Sequence, residues 1–121
     1  MSRWKQYQIK KQQKRKLKKK AEKTRQKVLA LLLEGKLDEA AETARTFLLK
    51  HPKDVRAWRM VKGVEAWREF WARVQKLAEE ERARAVEEGS KLWFQEVKHN
   101  DKLTVEGLKK ALLALLPGEE S

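Results

Sequence analysis

Thirteen Lys and Arg stand between Arg3 and Lys27 against one carboxylate, Glu22. Side chains of this type at this density neutralise phosphates and release the counterions condensed on a polyanion, which yields affinity without reading base sequence. The densest part, KKQQKRKLKKKAEKTRQK, defines the candidate nucleic-acid-binding set: Lys10, Lys11, Lys14, Arg15, Lys16, Lys18, Lys19, Lys20, Lys23, Arg25 and Lys27. Gln12, Gln13 and Gln26 lie among them and can donate to phosphate or sugar oxygens. Trp4 and Tyr7, just upstream in RWKQYQ, are candidates for stacking on bases. Their alternatives are anchoring the start of the arm on a neighbour and simple exposure, as a solvated charged tail is the alternative for the arm as a whole. No base-reading motif accompanies the cations, so the expected partner is nucleic acid bound through its phosphates. RNA is favoured slightly over DNA, because cationic helices fold into irregular RNA grooves.

The distribution of charge sharpens this expectation. The formal net charge is +12, and residues 3–27 hold all of it, since the remainder has seventeen basic and seventeen acidic side chains. A neutral body with a cationic arm is a statement about partners and association rates rather than about fold. Like charges at i, i+4 repel along a helix, so the isolated arm is expected to be partly unfolded and to become helical on a polyanion. Circular dichroism with and without RNA or DNA checks this, and an unchanged helical signal rejects it.

Other chemistries find no residues to carry them. Cysteine is absent, which excludes disulfides, thiolate zinc sites and a thiol nucleophile and is compatible with a reducing compartment. His51 and His99 are the only histidines, far apart and without matched carboxylate spacing, so no metal site is expected. No glycine-rich phosphate loop, nucleophile elbow or acid–base pair occurs. A non-enzymatic protein with no cofactor and no small-molecule substrate is therefore expected. The longest apolar run, VLALLL from Val28 to Leu33, is far short of the roughly twenty residues of a membrane span. The following EGKLDE does not fit a signal-peptide cleavage site. These features predict a soluble, intracellular, cytoplasmic protein.

The elements that position the cations read as all-α, since Ala, Leu, Glu, Lys, Gln and Arg dominate between few Gly and Pro. A first helix runs from the arm through AEKTRQKVLALLL and stops at Gly35. A second covers LDEAAETARTFLLK, with Leu37, Ala40, Ala41, Ala44, Phe47 and Leu48 on one face, and HPKD ends it. Asp54 caps a long third helix expected to reach Glu88 and close at Gly89. Trp58, Trp67 and Trp71 fall on its apolar stripe and are expected in the core. Its last stretch, AEEERARAVEEG, has few large apolar groups and must project, pack on another chain or be covered by the C-terminal segment; Glu80 with Arg84 is an expected ion pair there. Arg56, Arg59, Lys62, Arg73 and Lys76 on its flanks read as solvated surface, with an extension of the phosphate track as the alternative. Ser90 is in place to cap a short fourth helix, KLWFQEVKH, although residues 91–99 fit neither the helix nor the strand period cleanly and a strand is the alternative; Thr104 caps a fifth helix, built on Val105, Leu108, Ala111, Leu112, Leu115 and Leu116 and stopped by Pro117. Trp93 and Phe94 are adjacent and cannot both face one core on a helix, so one of them is a candidate partner contact. The organisation expected is thus an arm at 1–27, a helical body at 28–117 and a flexible tail at 118–121.

Within EGKLDEAAETARTFLLKHPKDVRAW, Glu34 to Trp58, the chain resembles the tetratricopeptide-repeat family. Gly35 stands at the inter-helix turn, Leu37, Glu39 and Ala40 open the second helix, Leu48 lies near its end, Pro52 is in the connection, and Trp58 is the aromatic residue opening the next unit. The resemblance covers twenty-five residues and implies a close helix-hairpin packing and interaction with other proteins. Two architectures follow: a small helical bundle or a repeat-like hairpin, each with one long central helix and a basic helical N-terminal arm. The leading functional expectation is an accessory subunit of a larger ribonucleoprotein or nucleic-acid-processing complex, docking on protein subunits through its body. The alternative is a repeat-like adaptor whose arm serves only localisation, since KRKLKKK also resembles a basic nuclear-import signal. A peripheral membrane binder ranks last, because the arm has no apolar face to insert.

Overall fold

Leu17, Ala21, Arg25, Val28 and Leu32 recur at steps of four and three, and this stripe decides how the first helix meets the rest. The computed structural model describes residues 3–118. They form five helices and no strand: α1 (Arg3–Leu33), α2 (Leu37–Lys50), α3 (Val55–Val74), α4 (Glu79–His99) and α5 (Val105–Leu113). The small-bundle architecture is therefore the one present. Of the tail expected at 118–121, only Gly118 lies among the described residues.

The α1–α2 turn needs Gly35, whose φ of +79° lies in the left-handed region that costs an L side chain roughly 1–2 kcal/mol. Its outer surface rests on the Trp71 indole. Ala40, Ala41 and Ala44 are buried and small, so α2 lies close against α1 and α3. Between α2 and α3, Asp54 accepts a hydrogen bond from the Arg56 backbone N–H (2.9 Å) and caps α3, while its two oxygens take Arg56 Nε and Nη2. Burial pushes the Asp54 carboxyl up, but the Arg56 hydrogen bonds and charge outweigh it and hold the group below its ordinary value. A carboxylate depressed in the fold stabilises above its unfolded pKa and loses that stabilisation as pH falls through the folded one. Asp54→Ala is accordingly expected to cost about 1–2 kcal/mol at neutral pH, and the gap to wild type should close in strong acid. Denaturant titrations at both pH values measure it.

α3 is apolar on two sides, with Ala57, Met60, Val64, Trp67 and Val74 on one run and Gly63, Ala66 and Phe70 on another. A helix apolar on both sides belongs in the centre. It contacts all four other helices. Trp67 meets Phe70 edge-on at 5.0 Å and stacks on Trp71 at 6.4 Å. Thr104 caps α5 by accepting from Gly107 N–H at 3.0 Å, and Lys109 Nζ ties α5 to Glu69 of α3 at 2.8 Å.

The long third helix is corrected. It ends at Val74, and the chain reverses through QKLA into α4. The last turn of α3 tightens, with Leu77 N–H on Val74 C=O at 3.0 Å, and Ala78 is extended. Arg82 then reaches back to the Leu77 carbonyl at 3.2 Å. Glu79, Glu80 and Glu81 fill the first turn of α4, where carboxylates oppose the positive end of the helix dipole. No Gly or Pro marks this reversal; apolar burial drives it. Gly89 is no terminator but a contact point in mid-α4, where a Cβ would meet Phe70 Cζ at 2.6 Å. Ser90 is likewise inside the helix, its hydroxyl bonded to Glu87 C=O. Residues 91–99 are the second half of α4. Trp58 is also corrected: it is 49% exposed, with Nε1 donating to Pro52 C=O at 2.9 Å. Glu80 and Arg84 make no ion pair, and the i, i+4 pair of α4 is Glu87 with Lys91 at 3.4 Å.

Candidate nucleic-acid interface

Helix propensity explains how the cations are presented: α1 has neither Gly nor Pro from Arg3 to Leu33, and its 31 residues form one helix about 46 Å long. α2 has only 14 residues and covers about 21 Å. The N-terminal half of α1 therefore extends past the helix it pairs with. From Arg3 to Lys20 only Gln8 and Leu17 are even half-buried. Lys10, Lys11, Lys14, Arg15, Lys16, Lys18, Lys19 and Lys20 are exposed on all sides of the helix, and none takes a carboxylate partner among the described residues. Lys10, Lys14 and Lys18 form an i, i+4, i+8 row with about 6 Å of helix rise between neighbours. Lys23 and Lys27 are exposed as well, farther along where the bundle begins.

Trp4 and Tyr7 are 69% and 60% exposed, three residues apart on one face near the tip. Trp4 and Ile9 help line a shallow notch with Gln8 and Gln12. This end of the arm offers flat apolar surface beside the cations.

Three sequence-based expectations change. Arg25 leaves the exposed set: it is 3% exposed and takes the stripe position between Ala21 and Val28. Its guanidinium lies 5.4 Å from the Phe94 ring centroid, and its Nε has no hydrogen-bond partner. Burial is the main cause that pushes its pKa below the ordinary value; Glu22 opposes this and Arg59 and Arg56 add to it. Trp93 cannot be a partner contact, because it is fully buried against Gly63 between α3 and α4. Phe94 is half-buried, with Arg25 and Lys98 on its ring. Several of the flank cations also differ from solvated surface, while Lys76 is exposed as expected. Arg59 is buried and paired with Asp101 at 2.7 Å, Lys62 donates to Leu103 C=O, and Arg73 pairs with Glu69 at 3.0 Å.

One feature of the surface had no sequence-level assignment. Lys18, Glu22, Arg25, Arg56, Lys98 and His99 line a cleft of about 230 Å³ where α1, α3 and the end of α4 meet. An arginine in an otherwise apolar stripe was its one signal in the sequence. The last residues of α4 complete it only because that helix folds back.

Fold and surface together define an all-α five-helix bundle with a cationic helical extension. Comparison with protein-family models, characterised proteins and solved structures returns no match to this chain. No group of three or more His, Cys, Asp or Glu could hold a metal ion among the described residues, and none of their helices is long and apolar enough to cross a membrane.

Proposed function

We propose that this protein is a non-enzymatic nucleic-acid-binding accessory subunit, with RNA preferred over DNA, acting in the cytoplasm within a larger ribonucleoprotein or nucleic-acid-processing complex. The N-terminal half of α1 lies along the phosphate backbone, and the bundle docks on protein subunits. The observation that carries this reading is that the cations from Lys10 to Lys20 are exposed and without carboxylate partners. Cations in internal ion pairs would have less charge to offer; these are available to phosphates. Trp4 and Tyr7 add stacking surface at the tip. The test is RNA affinity against salt concentration. A steep linear dependence of log K on log salt is expected, with about 0.7 ion released per phosphate contacted in a single strand. A flat dependence rejects the reading.

A second reading, a helical adaptor whose arm only directs localisation, draws support from apolar Leu49, Val55 and Trp58, which are exposed around the α2–α3 connection. A protein partner retained after nuclease treatment and removal of residues 1–16, which leaves the buried stripe from Leu17 onward in place, favours the adaptor.

A further inference from the structure

Arg25 is the most anomalous side chain of the bundle. A buried cation keeps its charge only when a counter-charge and hydrogen bonds replace water, and a guanidinium cannot shed its proton instead. Other buried arginine Nε groups lack partners too, but Arg59 has Asp101 and Arg82 has the Leu77 carbonyl. Arg25 has neither an ion pair nor a hydrogen bond, and only the Phe94 ring lies over it.

The surroundings of Arg25 add positive charge. Lys98 Nζ stands 5.5 Å from the centroid of the same Phe94 ring, so two cations share one aromatic group with no carboxylate bridging them. Arg56 lines the cleft from α3; Asp54 occupies its Nε and Nη2, which leaves Nη1 to donate. Lys18 enters from the arm side and His99 from the end of α4. Glu22 is the single carboxylate in the lining and sits within 4.0 Å of none of these cations.

We infer that this cleft seats one phosphate group of the bound nucleic acid, with Arg25 as its buried anchor and Lys98, Arg56 and Lys18 around it. A phosphate has several acceptor oxygens and can take hydrogen bonds from a guanidinium fork and an ammonium together. The cleft also lies where the Lys10, Lys14 and Lys18 row runs down into the bundle, so a strand following that row arrives at it. The inference rests on the phosphate-binding reading of the arm and adds a fixed seat to it. The exposed cations form a diffuse track; the seat sets where along α1 the strand stops.

The test uses the full chain, with inorganic phosphate as the probe and chloride at matched ionic strength as the control. Two-dimensional NMR of the arginine Nε–H groups should show the Arg25 signal shifting with phosphate, saturably, and not with chloride. Arg25→Met keeps an unbranched side chain and removes the charge, and Lys98→Gln changes an exposed side chain whose one contact in the fold is with the half-buried Phe94 ring. Each should weaken phosphate binding, read from the remaining cleft signals, by tenfold or more. Equal responses to phosphate and chloride, or unchanged saturation in both variants, overturn the seat. A chain with Lys10, Lys11, Lys14, Arg15, Lys16, Lys19 and Lys20 changed to Gln separates the two readings, because it leaves the cleft intact. If the seat alone is wrong, wild type binds RNA with a steep salt dependence while phosphate leaves Arg25 unmoved. If the arm reading alone is wrong, phosphate saturates the cleft while the seven-site variant matches wild type on RNA.

Discussion

Changing Lys10, Lys11, Lys14, Arg15, Lys16, Lys19 and Lys20 together to Gln is expected to lower RNA affinity by about 10² to 10⁴-fold at 0.1 M salt. Each phosphate neutralised on a single strand contributes about 0.7 to the slope of log K against log salt, hence roughly fivefold in affinity at that concentration. The upper figure corresponds to nearly all seven cations engaged and the lower to about half, as fits a helix charged all round and lying with one side on the strand. The salt slope should fall in the same proportion, which separates lost phosphate contacts from a damaged fold. Stability should hold, because all seven side chains are exposed and without a partner among the described residues. Filter binding or fluorescence anisotropy over a salt series gives both numbers. An affinity change below tenfold would remove the arm as the main interface.

The second large effect concerns the joint that folds the second half of the chain onto the first. Trp93→Ala is expected to destabilise the bundle by about 3–5 kcal/mol, a sizeable share of the roughly 5–15 kcal/mol typical of a domain. Trp93 is fully buried, and its indole lies where a Cβ on Gly63 would come within 2.7 Å. Truncation leaves a cavity between α3 and α4 that neither glycine-faced helix can fill. Trp93→Phe should cost much less, because it keeps an aromatic ring and removes the indole N–H, which is buried without an acceptor. Urea unfolding midpoints rank the three proteins. A loss below about 1 kcal/mol for Trp93→Ala would show that the α3–α4 contact is not what holds α4 back, since core truncations of this size ordinarily exceed it.

These two expectations also mark what could be read from the residues and what could not. The arm was legible because charge density is a local property. So were the caps at Asp54 and Thr104 and the turn at Gly35, each of which depends on a few neighbouring residues. The break at 75–78 was not legible, because QKLA has no breaker and good helix propensity. It exists because Trp67, Phe70 and Trp93 bury more apolar surface when α4 turns back than a straight helix could bury. Three successive glutamates at 79–81 were a usable sign of a new helix start. The same long-range packing turned Gly89 from an apparent terminator into a contact point and took Trp93 out of reach of any partner. Arg25 looked like one more arm cation because composition does not show which face of a helix is covered; the stripe of Ala21, Val28 and Leu32 does.

The continuity of α1 has a mechanical consequence. Tip and bundle share one uninterrupted rod without a hinge residue, so a load applied at Trp4 acts as a lever on the α1–α2 hairpin rather than being absorbed by a slack linker. A strand gripping the arm would then hold the bundle at a set distance and angle, as a bracket holds a shelf. Inserting Gly-Gly after Lys20 would leave every charge in place and take that leverage away.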